Sequence, residues 1–369
     1  MRALFINAVC GIGSTGRICT DTAKELEAQG YEVKIAYGRG SVPTQFEKYA
    51  VRIGGTIDVY WHALMKRCFD QRGYWSKRAT RRFLKWADEY NPDLLWIHNI
   101  HDYFINFEML FEWIKSRPEM KVKWTQHDCW AFTGGCMHFS LMGCYQWREG
   151  CMRCPSGARR VLRHIEQDKY LRKKTAFTGV SDMTIVAVSR WIADLVSESF
   201  LKEYPIEVRY NEIDRSVFKP TDGDFKSRYG LEKKKIILGV AGVWSEKKGS
   251  KDFLALSRII GDDYVVVMVG LNKKQLKDLP DNIIGISHTS SVTELAEIYT
   301  AADVFVNLTY EDNYPTVNLE AQACGTPCIT YRTGGSPESV PPENVVEQGD
   351  LAGIINRIHE LCDTKKDAE

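Results

Sequence analysis

The sequence predicts an α/β protein built from two parallel-sheet domains, and three observations carry that class. Short apolar runs alternate with helical stretches in both halves of the chain, which is the pattern of strand–helix units on a parallel sheet. A length of 369 residues is enough for two domains, each with its own core. The composition, 44% hydrophobic and 26% charged with no low-complexity tract, is that of a globular protein rather than a disordered or fibrous one.

In the first half, Arg2–Asn7 reads as a strand. It is followed by the glycine loop Cys10–Gly16 and a helix to about Gln29. Glu32–Tyr37, Leu94–His98 and Val122–His127 are the next strands, and Thr184–Val188 closes the domain. Ser189 then caps a helix through the polar side chain that such a start needs. Arg209–Pro220 reads as a linker, which gives domains 1–214 and 215–369, with a Cys-rich excursion at 129–155 inside the first. The second half runs Lys235–Ala241, Tyr264–Val269, Ile283–Ile286, Val304–Asn307 and Pro327–Tyr331 as strands, with a last helix ending near Leu361.

Charge is balanced overall but divided unevenly. Residues 1–212 carry 31 Lys and Arg against 24 Asp and Glu, and the remainder carries 18 against 24. The basic excess gathers in Lys66–Lys85 and Arg159–Lys174, among Trp75, Phe83, Leu84 and Leu162. Such stretches suit either an anionic membrane surface or two solvated helix faces. No nucleic-acid motif accompanies them, so nucleic acid is not an expected partner. No apolar run approaches the ~18 residues of a membrane helix. The start reads as a strand rather than a signal peptide. The expected location is therefore the cytoplasm, with peripheral attachment to the inner face of the membrane as an option.

Four groups of residues could carry chemistry. Asp312, Thr316 and Val317, and Glu320 lie just beyond a strand, where Pro315 suits a helix start; free amides and the helix dipole there favour a phosphate. Gly334 and Gly335 follow one strand later. Lys247 and Lys248 sit on the loop after the first strand of the second half, placed to meet a diphosphate. Gly11-x-Gly13-x-x-Gly16 matches a dinucleotide fingerprint. However, the second strand ends Tyr37-Gly-Arg39 without the ribose-binding acid, so a nicotinamide cofactor is not implied. His98-Asn99 and His127-Asp128 end strands of the first half, where histidine can donate to a substrate oxygen or shuttle a proton.

Eleven cysteines are many for a reducing compartment. Cys10, Cys19, Cys68, Cys324, Cys328 and Cys362 are scattered and read as small core residues. Cys136, Cys144, Cys151 and Cys154, with Cys129 and His138 in reserve, offer the ligands of a structural zinc site in which the ion substitutes for a core. Reduced thiols and a redox-sensitive pair are the other readings of the same four.

The run Asp312–Pro327 resembles the donor site of retaining family-4 glycosyltransferases, which have the GT-B fold of two Rossmann-like domains facing a central cleft. The family pattern is an acid, seven intervening residues and a glutamate, then Ala-x-Ala-x-Gly-x-Pro; Asp312 to Glu320 and Ala321–Pro327 match it. Glu311-Asp312-Asn313-Tyr314-Pro315-Thr316 is similar to the subgroup that builds colanic-acid-type exopolysaccharide and capsule. The resemblance implies transfer of a sugar from a nucleoside-diphosphate donor to a saccharide or polyprenyl-diphosphate-linked acceptor, with retention and without a required cofactor. It implies that Lys248 and the amides of Thr316 and Val317 stabilise the diphosphate, that Glu320 holds the ribose and that Asp312 holds the sugar hydroxyls. It places Gly13, Ser14, Lys247, Gly334 and Gly335 around the donor, and His127 beside the transferred sugar. His98, Asn99 and Asp128 fall on the acceptor side. An epimerase or phosphorylase using the same donor site, or a non-catalytic sugar-nucleotide-binding protein, are the alternatives.

Overall fold

The structure is a computed structural model, and it describes residues 1–58, 60–61, 73–152, 154–155 and 165–364. The chain divides into two compact units, Met1–Tyr210 and Asn211–Glu369. Each is built on one parallel sheet.

The first sheet has the order β3-β2-β1-β4-β5-β6-β7. Its strands are β1 (Arg2–Asn7), β2 (Glu32–Tyr37), β3 (Ala50–Arg52), β4 (Leu94–Ile97), β5 (Lys121–Gln126), β6 (Met183–Ala187) and β7 (Ile206–Val208). Its helices are α1 (Gly13–Ala28), α2 (Lys77–Tyr90), α3 (Phe107–Lys115), α4 (Ile165–Phe177) and α5 (Arg190–Ser197). The second sheet has the order β10-β9-β8-β11-β12-β13. It comprises β8 (Lys235–Val240), β9 (Tyr264–Val269), β10 (Ile283–Ile286), β11 (Val304–Asn307), β12 (Cys328–Tyr331) and β13 (Val345–Val346). The helices of this unit are α6 (Phe225–Arg228), α7 (Ser250–Ile259), α8 (Lys273–Lys277), α9 (Val292–Ala301), α10 (Thr316–Ala323) and α11 (Leu351–Thr364).

Both sheets are covered on both faces, which is why their strands read as continuous apolar runs. In β8, Ile236 and Leu238 pack with Phe305, Tyr299 and Ala321 on one side. Ile237 packs with Phe253, Val266 and Ile354 on the other. The first unit buries Ala3, Phe5, Ile35 and Trp96 in the same manner beneath α1. Ser189 does cap α5, accepting from the Ile192 N–H at 3.2 Å.

Three strands were not expected. β7, and not Thr184–Val188, closes the first sheet, and β3 and β13 occupy other edges. Each has two or three residues, too few to show a period. In both sheets the strand order reverses direction once, between β1 and β4 and between β8 and β11. Chain crossovers leave opposite sides of the sheet there, and the strand ends open a crevice.

Candidate functional site

In the second unit, the reversal brings together the loops after β8 and β11. Gly249 adopts φ +72°, and a Cβ on it would lie 2.2 Å from the Leu308 carbonyl oxygen. Only glycine lets the loop after β8 press this closely on the end of β11. The Lys247 carbonyl accepts from the Tyr310 N–H at 2.8 Å, which locks the two loops in register.

That register pairs two lysines with two consecutive acids. Lys247 Nζ meets Glu311 Oε2 at 2.6 Å, and Lys248 Nζ meets Asp312 Oδ2 at 2.6 Å. The pairs differ in access. The Glu311 side chain is 1% exposed, so the first pair is a buried strut at its acid end. Lys248 is 37% and Asp312 20% exposed, which leaves both within reach of a ligand. Asp312 also accepts from the Asn313 N–H at 2.9 Å, which fixes its carboxylate.

α10 begins at Thr316 behind Pro315, and no side chain caps it. The Thr316 and Val317 amides thus stand at the positive end of the helix without a protein acceptor supplied by a cap. One turn in, Glu320 is 3% exposed, and Tyr299 donates its phenol to Glu320 Oε2 at 3.0 Å. Burial, and then the Glu320 carboxylate, hold the Tyr299 hydroxyl well above its ordinary pKa, so it stays a donor. Gly334 turns at φ +51°, and Thr333 Oγ1 donates to the Tyr310 carbonyl at 2.9 Å, tying the Gly334–Gly335 turn to the same loop. Beneath it, buried Asn318 donates to Ser336 and Ser339 at 3.3 and 2.9 Å and accepts from Asn307 at 2.8 Å. This network clamps the start of α10 to the turn after β12. Lys247, Lys248, Asp312, Thr316, Val317, Glu320, Gly334 and Gly335 are therefore carried by one set of interlocked loops at the end of one sheet.

The first unit presents different chemistry at its strand ends. His98, just past β4, and His127, just past β5, stack with ring centroids 5.2 Å apart, and His98 Nδ1 lies 2.9 Å from His127 Nε2. Burial holds His98 far below the usual imidazole range and pushes His127 down to about 4, so both rings are neutral near pH 7. Asp128 bonds His101 Nε2 at 2.8 Å and accepts from the Trp130 N–H at 2.8 Å. Burial opposes the ionised form of Asp128. His101 and the Trp130 amide outweigh that and bring the carboxyl down to about 2. Asn99 takes its place by donating its N–H to Asn7 Oδ1 at 3.2 Å. Gly13 and Ser14 are exposed and form the first turn of α1 rather than the loop before it; Gly13 sits at φ +64°.

Among the described residues no three His, Cys, Asp or Glu side chains are gathered as a metal ion requires. The excursion has an aromatic core: Trp147 packs on Phe132 and Phe139 with centroids 5.1 and 5.4 Å apart, and all three are buried. Cys151 accepts from the Gly134 N–H at 3.1 Å, and burial pushes its thiol up to about 12. Cys136 and Cys144 are partly buried, while Cys154 is exposed. The scattered cysteines Cys10, Cys19, Cys324, Cys328 and Cys362 are buried, and Cys68 lies outside the described residues.

Tyr299, Asn307 and Asn318 were given no role in the sequence reading. They act through partners that only the folded chain brings near, and no spacing marks them.

Comparison with known proteins bears on the family and the fold. The model for "Glycosyltransferase Family 4" matches residues 15–217, and that for "Glycosyl transferases group 1" matches residues 222–369. A colanic acid biosynthesis glycosyl transferase, WcaC of Escherichia coli (strain K12), is 22% identical over 351 residues, covering 92% of this chain and 85% of that protein. The N-acetyl-alpha-D-glucosaminyl L-malate synthase of Bacillus anthracis is 27% identical over 198 residues, and the match spans only about half of either protein, 50% of this chain and 51% of that one. Among solved structures, sucrose-phosphate synthase from Thermosynechococcus elongatus superposes with a TM-score of 0.69 at 15% identity, covering 98% of this chain and 90% of that one. Anabaena Alr3699/HepE in complex with UDP-glucose does so with a TM-score of 0.65 at 12% identity, covering 99% and 91%. At such identities these structures speak for the fold. The family model that spans more than half of the chain shows its membership: this protein belongs to glycosyltransferase family 4, and is a transferase of the GT-B fold.

Proposed function

We propose that the protein transfers a sugar, with retention of anomeric configuration, from a nucleoside-diphosphate donor to a saccharide or lipid-linked saccharide in bacterial surface polysaccharide synthesis. The observation that carries this reading is the accessible Lys248–Asp312 pair beside the uncapped start of α10. An ammonium, two helix amides and a carboxylate held together offer one anion-binding and one hydroxyl-binding half. The diphosphate draws Lys248 from Asp312, which frees that carboxylate to accept from the sugar hydroxyls. Thr316 and Val317 amides and Lys248 then stabilise the charge that grows on the departing phosphate, the largest single contribution available to such a site. Glu320, aimed by Tyr299, accepts from the ribose. Gly334 and Gly335 let the backbone approach the donor.

In the first unit, neutral His127 serves as a hydrogen-bonding group for the transferred sugar. His98 fixes its ring, and Asn99 and Asp128 face the acceptor. Gly13 and Ser14 offer amides at the start of α1. A UDP-glucose complex of one structural neighbour and the WcaC resemblance support a nucleotide-sugar donor and a polysaccharide product.

A screen of UDP- and GDP-sugars tests this. The expected result is one donor that raises the melting temperature and is slowly hydrolysed. Silence across the panel overturns the donor assignment.

A further inference from the structure

The strand ends of the first unit enclose a cavity of about 10 Å³, room for one water-sized group. Of the side chains that line it, His127 and Asp128 are partly exposed, whereas His98, Trp124, Gln126 and Trp130 are buried. Two of the buried ones carry a polar atom with nothing to bond. Gln126 is 3% and His98 2% exposed, and among the described residues neither Gln126 Nε2 nor His98 Nε2 has a hydrogen-bond partner.

Their neighbours are satisfied. Trp124 Nε1 donates to the His98 carbonyl at 3.3 Å, and Trp96 Nε1 donates to Thr125 Oγ1 at 2.9 Å. Native proteins bond nearly all of their buried donors, since one left dry is destabilising. Gln126 also departs from the pattern of its strand. It shares a face of β5 with Val122 and Trp124, and Trp124 packs there on Phe111 and Phe177 with centroids 5.2 and 4.8 Å apart. An apolar side chain would bury on that face without penalty. β4 and β5 pair through Ile97 and Trp124, so the His98 and Gln126 side chains leave adjacent strand ends.

The two nitrogens define what fits. Gln126 Nε2 only donates. His98 and His127, both neutral, share one proton between His98 Nδ1 and His127 Nε2. With that proton on His98, its Nε2 is a bare acceptor; with it on His127, His98 Nε2 carries a hydrogen and donates. A hydroxyl oxygen accepts from Gln126 and suits His98 in either tautomer. A carbonyl oxygen fails against a bare Nε2, and an ammonium cannot accept from Gln126. A carboxylate or phosphate is repelled by ionised Asp128 in the same lining.

We propose that Gln126 and His98 bind a single hydroxyl oxygen, supplied by water or by an alcohol group, and that Gln126 decides whether it is held. The site lies within the first unit, stands apart from the donor reading and needs no nucleotide sugar.

Nuclear Overhauser transfer to the Gln126 side-chain amide protons of the full chain tests this, the signal being assigned by its loss in Gln126→Met. Transfer from water alone makes water the occupant. Transfer from added glycerol makes it an alcohol. In that case His98→Phe, which keeps a stacked ring without the second nitrogen, should weaken glycerol by up to about tenfold. Gln126→Met has nearly the volume of the parent and should melt no higher, because the amide it loses was already bonded. Transfer from neither source overturns the proposal, as does glycerol binding that ignores His98→Phe. A melting temperature raised by about 3 °C or more in Gln126→Met overturns it too, since the amide would then sit dry.

Discussion

The two units share one topology and put opposite chemistry at its opening. Where the first sheet reverses, the strand ends carry buried, neutral imidazoles, His98 and His127, beside an ionised carboxylate already taken by His101. Where the second reverses, they carry partly exposed charge, Lys248 and Asp312, at the start of a helix. The sheet supplies only the place; the residues at the strand ends decide what is bound there. Desolvation has opposite uses in the two places. It keeps the imidazoles neutral, which on the proposed reading suits them to bond hydroxyls rather than phosphate. The access left at Lys248 lets its charge be spent on a ligand.

Substitutions on each side of this contrast have distinct expected outcomes. The largest effect is expected from Lys248→Ala, which should lower kcat by about a hundredfold to a thousandfold, as loss of one donor to a developing anion does. Its melting temperature should move little, because the pair it leaves is partly exposed. Glu320→Ala should act on donor affinity instead, raising the donor KM by roughly tenfold to a hundredfold. Tyr299→Phe should follow in the same direction with a smaller change, since it removes only the group that aims the carboxylate.

A pH profile probes the first unit. Because His127 is pushed down to about 4, kcat should show no limb near the ordinary imidazole value of 6.5, and should fall only as pH approaches about 4. Folded His98 and His127 resist protons that the unfolded chain accepts, so stability is full above about 6.5 and is lost as pH falls from there toward 4. A limb near 6.5 that vanishes in His127→Asn would contradict the neutral assignment. The smallest expected effect is Lys247→Ala. It should cost about 1 kcal/mol of stability by removing the lysine from buried Glu311, with donor binding nearly unchanged. Unfolding curves beside donor titrations would separate that strut from Lys248, its neighbour in sequence.

Much of this was legible in the residues. The longer strands announced themselves as apolar runs, and the spacing from Asp312 to Glu320 announced a carboxylate on either side of a helix start. The short edge strands were not legible, since their pairing is set by neighbours rather than by their own pattern. Tyr299 is hidden for another reason: it sits 21 residues before Glu320 on a different helix, and only packing of α9 on α10 joins them. His98 and His127 meet because β4 and β5 are neighbours in the sheet, which sequence separation conceals. Glu311 and Asp312 each carry a lysine, and it is burial, 1% exposed against 20%, that sets the two neighbours apart in the fold. In the cysteine excursion the aromatic core was less legible than the four thiols. Phe132, Phe139 and Trp147 provide the core.

The central claim is that the loops after β8 and β11 hold a nucleoside diphosphate through Lys248. Calorimetric titration of the full chain with UDP and with GDP, in parallel with Lys248→Ala and Lys247→Ala, tests it most directly. The account predicts saturable binding of one nucleotide, weakened at least about tenfold by Lys248→Ala and barely altered by Lys247→Ala. Binding that ignores Lys248, or that depends equally on both lysines, would contradict it.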